Sequence, residues 1–144
     1  MNNSMEIKME ILIVSKYCEI IMQILGVHKQ LSINKTVFFS FLLKEQSNYY
    51  KQVFNSNTEK DIVIKAISLI AGRYNDYCQH IKYIIEAIHL LIMNNSIYTI
   101  DSNLFLNQQI NYCKTYDNKF IQKAIEKSKN ISDRQFLKEV INNV

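Results

Sequence analysis

The sequence contains no proline and only two glycines, Gly26 and Gly72. A phosphate cradle needs several glycines to bring backbone N–H groups against a pyrophosphate, so a Gly-rich nucleotide loop is excluded. A sandwich or barrel of many short strands is disfavoured on the same ground, because its tight turns consume Gly and Pro. Cysteine is scarce as well. Cys18, Cys78 and Cys113 are far apart, odd in number and never in a CxxC pair, which reads as reduced, buried thiols of an intracellular protein and not as a disulfide framework. Strong charge of one sign is also missing: 17 basic against 13 acidic residues leave a formal charge of +4, short of the balance of a dedicated nucleic-acid binder. The opening Met1–Glu6 lacks the basic-then-apolar order of a signal peptide. The most apolar run, Ile11 to Val27, is interrupted by Lys16, Glu19 and Gln23, which makes a bilayer span costly. The expectation is a cytoplasmic chain with no membrane contact.

What is present is 48% apolar and 21% charged over 144 residues, enough for one domain with its own core. The expected fold class is mainly α: one compact helical domain over residues 1–144, with a winged-helix-like small β-hairpin and a flexible lead at 1–8. No linker, repeat or low-complexity tract divides it. The abundance of Ile, Asn, Lys and Tyr follows AT-rich codons, so Asn pairs such as Asn94-Asn95 carry little weight.

From Met9 to Leu25 apolar residues occupy more than one face, which predicts a mostly buried helix with Gly26 as its left-handed C′ residue. Ser32 is placed to cap a second helix through Val37, Phe38, Phe41 and Leu42 to about Gln46. Ser47 to Thr58 reads as a polar loop carrying Tyr49, Tyr50 and Phe54. Thr58-Glu59-Lys60-Asp61 opens a helix through Ile62, Ile64, Ile67 and Ile70 to Gly72. A long helix from about Asp76 to Met93 follows, with a core stripe of Cys78, Ile81, Ile84, Ile85, Ile88, Leu91 and Ile92. The period then changes: Ile97–Ile100 and Leu104–Asn107 read as two strands around a turn at Asp101-Ser102-Asn103. A helix directly before a small hairpin is the winged-helix pattern. Amphipathic helices are expected at 108–116, 119–129 and 133–142, the last capped by Ser132.

No catalytic constellation stands out, and the expectation is a chain that is not an enzyme and holds no cofactor or metal. Cys78 and His80 lie two apart, facing different directions on a helix, whereas helical metal pairs use i,i+3 or i,i+4 spacing. There is no G-x-S-x-G elbow, and no cysteine is marked as the nucleophile of a Cys–His pair. The carboxylates Glu19, Glu45, Glu86 and Glu126 are scattered singly among lysines and look like solvated faces.

Two features are candidates for contact with partners. Lys119, Lys123 and Lys127 recur at i, i+4 and i+8 and so share a helical face, with Lys114, Lys129 and Arg134 close in sequence. Clustered lysines bind phosphate without base readout; the plainer alternative is the ordinary solvated side of an amphipathic helix. The second feature is the excess of Tyr49, Tyr50, Phe54, Tyr74, Tyr77, Tyr112 and Tyr116, residue types enriched in interfaces, against codon bias and core edges. The helices that could enter a DNA groove are mostly apolar with Lys65, Arg73, Gln79 and Lys82, which does not favour base-specific reading.

The segments Leu31–Leu43 and Ile88–Ile97, in this order around a polar turn and before the hairpin, resemble the middle components of bacterial ABC-three-component systems, the group that includes the Lamassu anti-phage and anti-plasmid operons. The resemblance covers roughly residues 10 to 130 as pattern. Asn95-Ser96 stand where the family often has Gly, and Ser40 where an acid is common. It implies a non-catalytic adaptor that binds an SMC-like (Rad50-like) ABC ATPase and couples it to an effector nuclease, with phosphate and metal chemistry left to those partners. The contact surfaces expected on that reading are the loop at Tyr49, Tyr50 and Phe54 and the stripe Lys119, Lys123 and Lys127, with non-specific DNA contact. The alternative is a stand-alone winged-helix DNA-binding regulator.

Overall fold

A computed structural model describes residues 2–45, 59–110, 112 and 115–143. Among them the order is α1 (Asn2–His28), β1 (Gln30–Ser32), α2 (Ile33–Glu45), α3 (Glu59–Ser68), α4 (Tyr74–Met93), β2 (Ile97–Ile100), β3 (Asn103–Leu106), α5 (Lys119–Ser128) and α6 (Asp133–Asn143). The mainly helical class with its small hairpin is what the composition led one to expect.

α2 is the hub. Its residues Lys35 to Leu42 are all buried, because Phe38, Phe39, Phe41 and Leu42 point in several directions and leave the helix no polar side. Such a helix must be covered all round. α1 and α4 pack on it, and so do α5 and α6. α3 closes the second group by packing on α5 and α6. Edge-to-face aromatic pairs knit the centre: Phe38 meets Phe39, Tyr77 and Phe136 at centroid distances of 5.3, 5.7 and 5.4 Å. Arg73 Nη2 lies 2.7 Å from Glu45 Oε2, tying the end of α2 to the start of α4.

The sheet has the order β1-β3-β2, antiparallel throughout. With α1 before β1, α2 after it and α4 leading into β2, the arrangement is winged-helix-like, with three further helices, α3, α5 and α6, added to it. β1 is a strand that periodicity misses. Three residues, Gln30-Leu31-Ser32, are too few to show alternation, and only the pairing Leu31↔Leu104 reveals it. The turn is shorter than expected. Asn103 pairs with Ile100, so only Asp101 and Ser102 remain, both with positive φ (51° and 66°), the I′ pattern whose twist suits a hairpin. Ser102 O accepts from Ile33 N–H at 2.9 Å, fastening the wing to the start of α2.

Other expectations need correction. α1 starts at Asn2, upstream of Met9, and ends at His28. Its left-handed C′ residue is Lys29 (φ 73°), not Gly26, which lies inside the helix. A Cβ on Gly26 would meet the Tyr112 ring at 3.3 Å, so the glycine serves close packing. α4 buries Tyr77, Ile84, Ala87, Ile88 and Leu91; Cys78 and Ile85, assigned to its core stripe, are exposed. The helix expected at 108–116 is absent among the described residues of that stretch. Thr58 lies outside the described residues. Ser32 and Ser132 do cap: their Oγ atoms accept from Lys35 N–H (3.3 Å) and Gln135 N–H (3.1 Å). By length and composition α1 is apolar enough to cross a membrane, yet its second half is core, with Tyr17, Ile21, Ile24 and Leu25 fully buried.

The hub carries two imperfections. Thr36 Oγ1 and Ser40 Oγ, one turn apart on α2, are fully buried without a hydrogen-bond partner. A buried hydroxyl left unpaired costs free energy that an apolar isostere does not. Thr36→Val and Ser40→Ala are therefore each expected to raise stability, by about 1 kcal/mol, measured as a higher urea midpoint at unchanged slope; a lower midpoint for both would contradict this account of α2.

Candidate partner-binding surfaces

α5 is a strongly two-sided helix. Asn118 caps it, its side-chain oxygen accepting from Ile121 N–H at 3.0 Å, while Ile121, Ala124, Ile125 and Ser128 are buried against the body. The opposite side carries the lysines. Lys119 and Lys123 are exposed and Lys127 is half-buried, so the three share a face as their spacing requires, but that face is less open at its end. The surrounding cations do not simply enlarge it. Lys129 Nζ turns inward, donating to His28 O at 2.6 Å and lying 3.0 Å from Glu126 Oε2. Arg134 is exposed at the start of α6. Lys114, Tyr49, Tyr50 and Phe54 lie outside the described residues.

The inward turn of Lys129 belongs to a polar chain that sequence reading missed. The His28 ring sits at the end of α1, its side chain 1% exposed. Its Nε2 pairs with the Tyr116 hydroxyl, and its Nδ1 lies 3.3 Å from Glu126 Oε2. Lys129 then joins the same carboxylate to the last carbonyl of α1. Burial holds the imidazole below its ordinary pKa, only partly offset by Glu126. Burial acts to raise Glu126, but its contacts with Lys129 and His28 outweigh it and leave that carboxyl below the ordinary value. Burial, and then the Glu126 charge, keep the Tyr116 phenol protonated. The geometry of this polar chain reads as a clasp between the end of α1 and α5. His28 ends α1, Tyr116 lies in the stretch before α5 and Glu126 is in the last turn of α5, and nothing in the spacing of 28, 116 and 126 joins them.

A second clasp, built on the buried Lys35, holds α6. Lys35 Nζ donates to Ile131 O at 2.5 Å and lies 3.5 Å from Asp133 Oδ1, and Ser32 Oγ donates to the same carboxylate at 2.7 Å. His80, weighed above as a metal ligand with Cys78, accepts or donates instead at Tyr17: its Nδ1 is 2.6 Å from the phenol oxygen. Among the described residues no three His, Cys, Asp or Glu side chains cluster as a metal site requires. A cleft of about 260 Å³ between α3 and α6 has an apolar floor of Val63, Ile64, Ile131 and Phe136. Its rim holds Glu139, which is already occupied by Gln135 at 2.8 Å.

The α4–wing surface differs in character from α5. Glu86, Leu90 and Met93 follow each other on one face of α4 at spacings of four and three, with Leu90 46% and Met93 67% exposed. The hairpin that follows exposes Tyr98 and Ile100, Tyr98 stacked on Phe105 across the strands at 5.2 Å. The fixed charges exposed along α4 and the wing turn are Asp76, Glu86 and Asp101 against Lys82. Positive charge therefore collects on α5, away from the helix and wing that would enter a groove.

The clasps have a pH signature. Unfolded His28 and His80 titrate near pH 6.5, whereas burial lowers both in the folded chain. The unfolded state then binds more protons as pH falls through that value, so stability declines. Glu126, also lowered, continues the decline at more acid pH. Urea midpoints are expected to fall from pH 7.5 toward pH 5, and the His28→Gln variant, less stable at neutral pH, should show a shallower fall; an unchanged slope would remove His28 from this account. Comparison of the chain with protein-family models, with curated proteins and with solved structures found no match.

Proposed function

We propose that this chain is a non-catalytic adaptor subunit of an anti-phage or anti-plasmid defence complex, one that binds an SMC-like ABC ATPase and couples it to an effector nuclease. The resemblance of Leu31–Leu43 and Ile88–Ile97 supplies the partner. The observation that carries the reading is the nature of the α4–wing surface. A helix and wing that grip DNA need cations facing phosphate. Here Leu90, Met93, Tyr98 and Ile100 are exposed among three acids and one lysine. Aromatic and methionine side chains with few charges at the centre are what protein interfaces use. On this reading the lysine face of α5 adds a non-specific phosphate contact beside the protein interface, without base readout.

Tagged chain expressed with its genetic neighbours is expected to recover a large SMC-like ATPase in stoichiometric amount after a moderate-salt wash. Leu90→Glu and Met93→Glu alter exposed positions and should reduce that recovery at least about tenfold, with the circular dichroism spectrum unchanged. Recovery of the chain alone, with DNA and no second protein, promotes the regulator and sinks the adaptor.

The stripe is tested separately. A Lys119→Glu/Lys123→Glu variant should weaken DNA retention and reduce its salt slope by about 2. Unchanged DNA retention together with unchanged complex assembly would discard the stripe as a contact.

A further inference from the structure

β2 is the outer strand of the sheet, with β3 on one side and, among the described residues, no strand on the other. The register shows which of its peptide groups are committed. Asn107 N–H donates to Ser96 O at 3.0 Å, and residues along an antiparallel pair alternate between bonded and non-bonded positions. Tyr98 and Ile100 are therefore bonded to Phe105 and Asn103, whereas the N–H and C=O groups of Ile97 and Thr99 point away from β3. No backbone hydrogen bond joins those groups to another described residue. The strand is also uncovered, since Tyr98, Thr99 and Ile100 are exposed in succession. Open edges are normally guarded by lysine, proline or a bulge. The pairing of β2 with β3 is continuous, and the chain has no proline. Most telling is charge. A chain with 17 lysines and arginines places none between Lys82 and Lys114, a stretch that includes the whole hairpin.

We infer that the open edge of β2 takes up an extended, lysine- or arginine-bearing segment of a partner protein as a further strand. This contact deepens the adaptor reading and rests on it for the identity of the protein that supplies the strand. In strand addition the main-chain groups supply the affinity and alternate side chains supply the choice, so a short edge suffices without a wide apolar area. Side chains of the incoming strand that point to the solvent face fall beside Tyr98 and Ile100. Tyr98 already stacks on Phe105 at 5.2 Å, so that face offers an aromatic and aliphatic row on which β-branched residues pack. The charges choose among occupants. The acids of the 83–113 stretch are Glu86 and Asp101, both exposed, and Asp101 directly follows the last residue of β2. A basic segment complements them. A second copy of β2 would bring the same acids and no lysine or arginine to the contact, and DNA would meet them with phosphate.

The peptide groups make this contact separable from one made through side chains. Thr99 N–H donates to no described backbone group, so proline at this position removes only the outward donor, the one place where an edge strand accepts it. Tyr98 and Ile100 do not tolerate the same change, because their N–H groups hold the hairpin. In the free chain the amides of Tyr98 and Ile100 are therefore expected to exchange with solvent more slowly than that of Thr99.

The probe is an end-capped hexapeptide of alternating lysine and valine, added to the full-length, isotope-labelled chain at about 1 mM, the range in which a contact of a few hydrogen bonds is populated. The expected result is exchange of the Thr99 amide slowed at least about threefold, with Tyr98 and Ile100 unaltered. A glutamate–valine peptide of the same length should have no effect. A fully N-methylated lysine–valine peptide, which keeps its side chains but has no donors, should also leave Thr99 as it is. Thr99→Pro should abolish the peptide-induced shifts across the hairpin with unaltered circular dichroism. An unchanged Thr99 amide with the lysine–valine peptide overturns the inference, as does equal binding by the glutamate peptide, by the N-methylated peptide or to the Thr99→Pro chain. A wild-type dimer that Thr99→Pro dissociates assigns the edge to a second copy and overturns it too. The adaptor reading is separated in the co-expressed complex. ATPase recovery lost in Leu90→Glu but kept in Thr99→Pro overturns the edge and leaves the adaptor standing. Uptake of the peptide by a chain that recovers no ATPase upholds the edge and sinks the adaptor.

Discussion

Covering α2 on every side is the constraint from which the rest of the architecture follows. Eight successive residues, Lys35 to Leu42, are removed from water. A helix that has no polar side cannot lie on a surface, so elements must approach it from all directions. α1 and α4, with the sheet, do so as a winged-helix-like unit. α5 and α6 cover the remaining side, held to each other through α3. The aromatic residues of α2 act as the shared wall of both groups. Phe38 touches Tyr77 of α4 and Phe136 of α6 at nearly equal centroid distances, 5.7 and 5.4 Å. Neither group has a complete core without α2, so among the described residues the two helical groups share one core.

That arrangement leaves polar work at the margins. Where the second layer meets the first, apolar packing is supplemented by two lysine-centred clasps, one around the buried Lys35 and one around Lys129, whose side chain is still 29% exposed. Lys35 reaches from α2 to the α5–α6 turn, and Lys129 reaches from the end of α5 back to the last carbonyl of α1. Each cation meets a backbone carbonyl and a carboxylate together, which compensates the loss of water in a way that a lone carboxylate would not. The consequence for function is subtractive. Lys129 stood next to a stripe of lysines in sequence, but its ammonium, though partly exposed, is engaged by His28 O and Glu126, and the lysine face of α5 is Lys119, Lys123 and part of Lys127.

Much of the helical framework was legible from periodicity and caps. α5 and α6 begin at the expected residues, because Asn118, Ser132 and the apolar spacings beyond them act locally. What escaped was decided at a distance. β1 exists only because Leu104 is opposite Leu31. The character of Gly26 depends on Tyr112, 86 positions away, and not on helix termination. α4 was placed correctly, yet its buried face was rotated from the expected stripe. Tyr77 and Ala87 are buried and Cys78 and Ile85 are not, since a run with apolar residues on several sides allows more than one face to turn inward, and α1 and α2 make the choice. For the candidate surfaces the division is similar. The lysine spacing on α5 could be read directly, but the His28–Tyr116–Glu126 clasp joins positions that no local pattern relates.

The exposed apolar residues of α1 and of the wing pose a single physical question. Side chains such as Met9 and Met93 contribute little to the stability of one chain, because they stay in water in the folded state much as in the unfolded one. In an isolated monomer they only favour non-specific association. On the adaptor reading, the α4–wing patch is the one that a partner covers. The two patches also differ in kind. The first turns of α1 carry Met5, Met9 and Leu12 on one side and Ile7 and Ile11 on the other, so no single flat contact covers them all. The α4–wing surface mixes Leu90, Met93 and Tyr98 with Glu86 and Asp101, so it has the charge that sets orientation and partner choice in a heterologous contact.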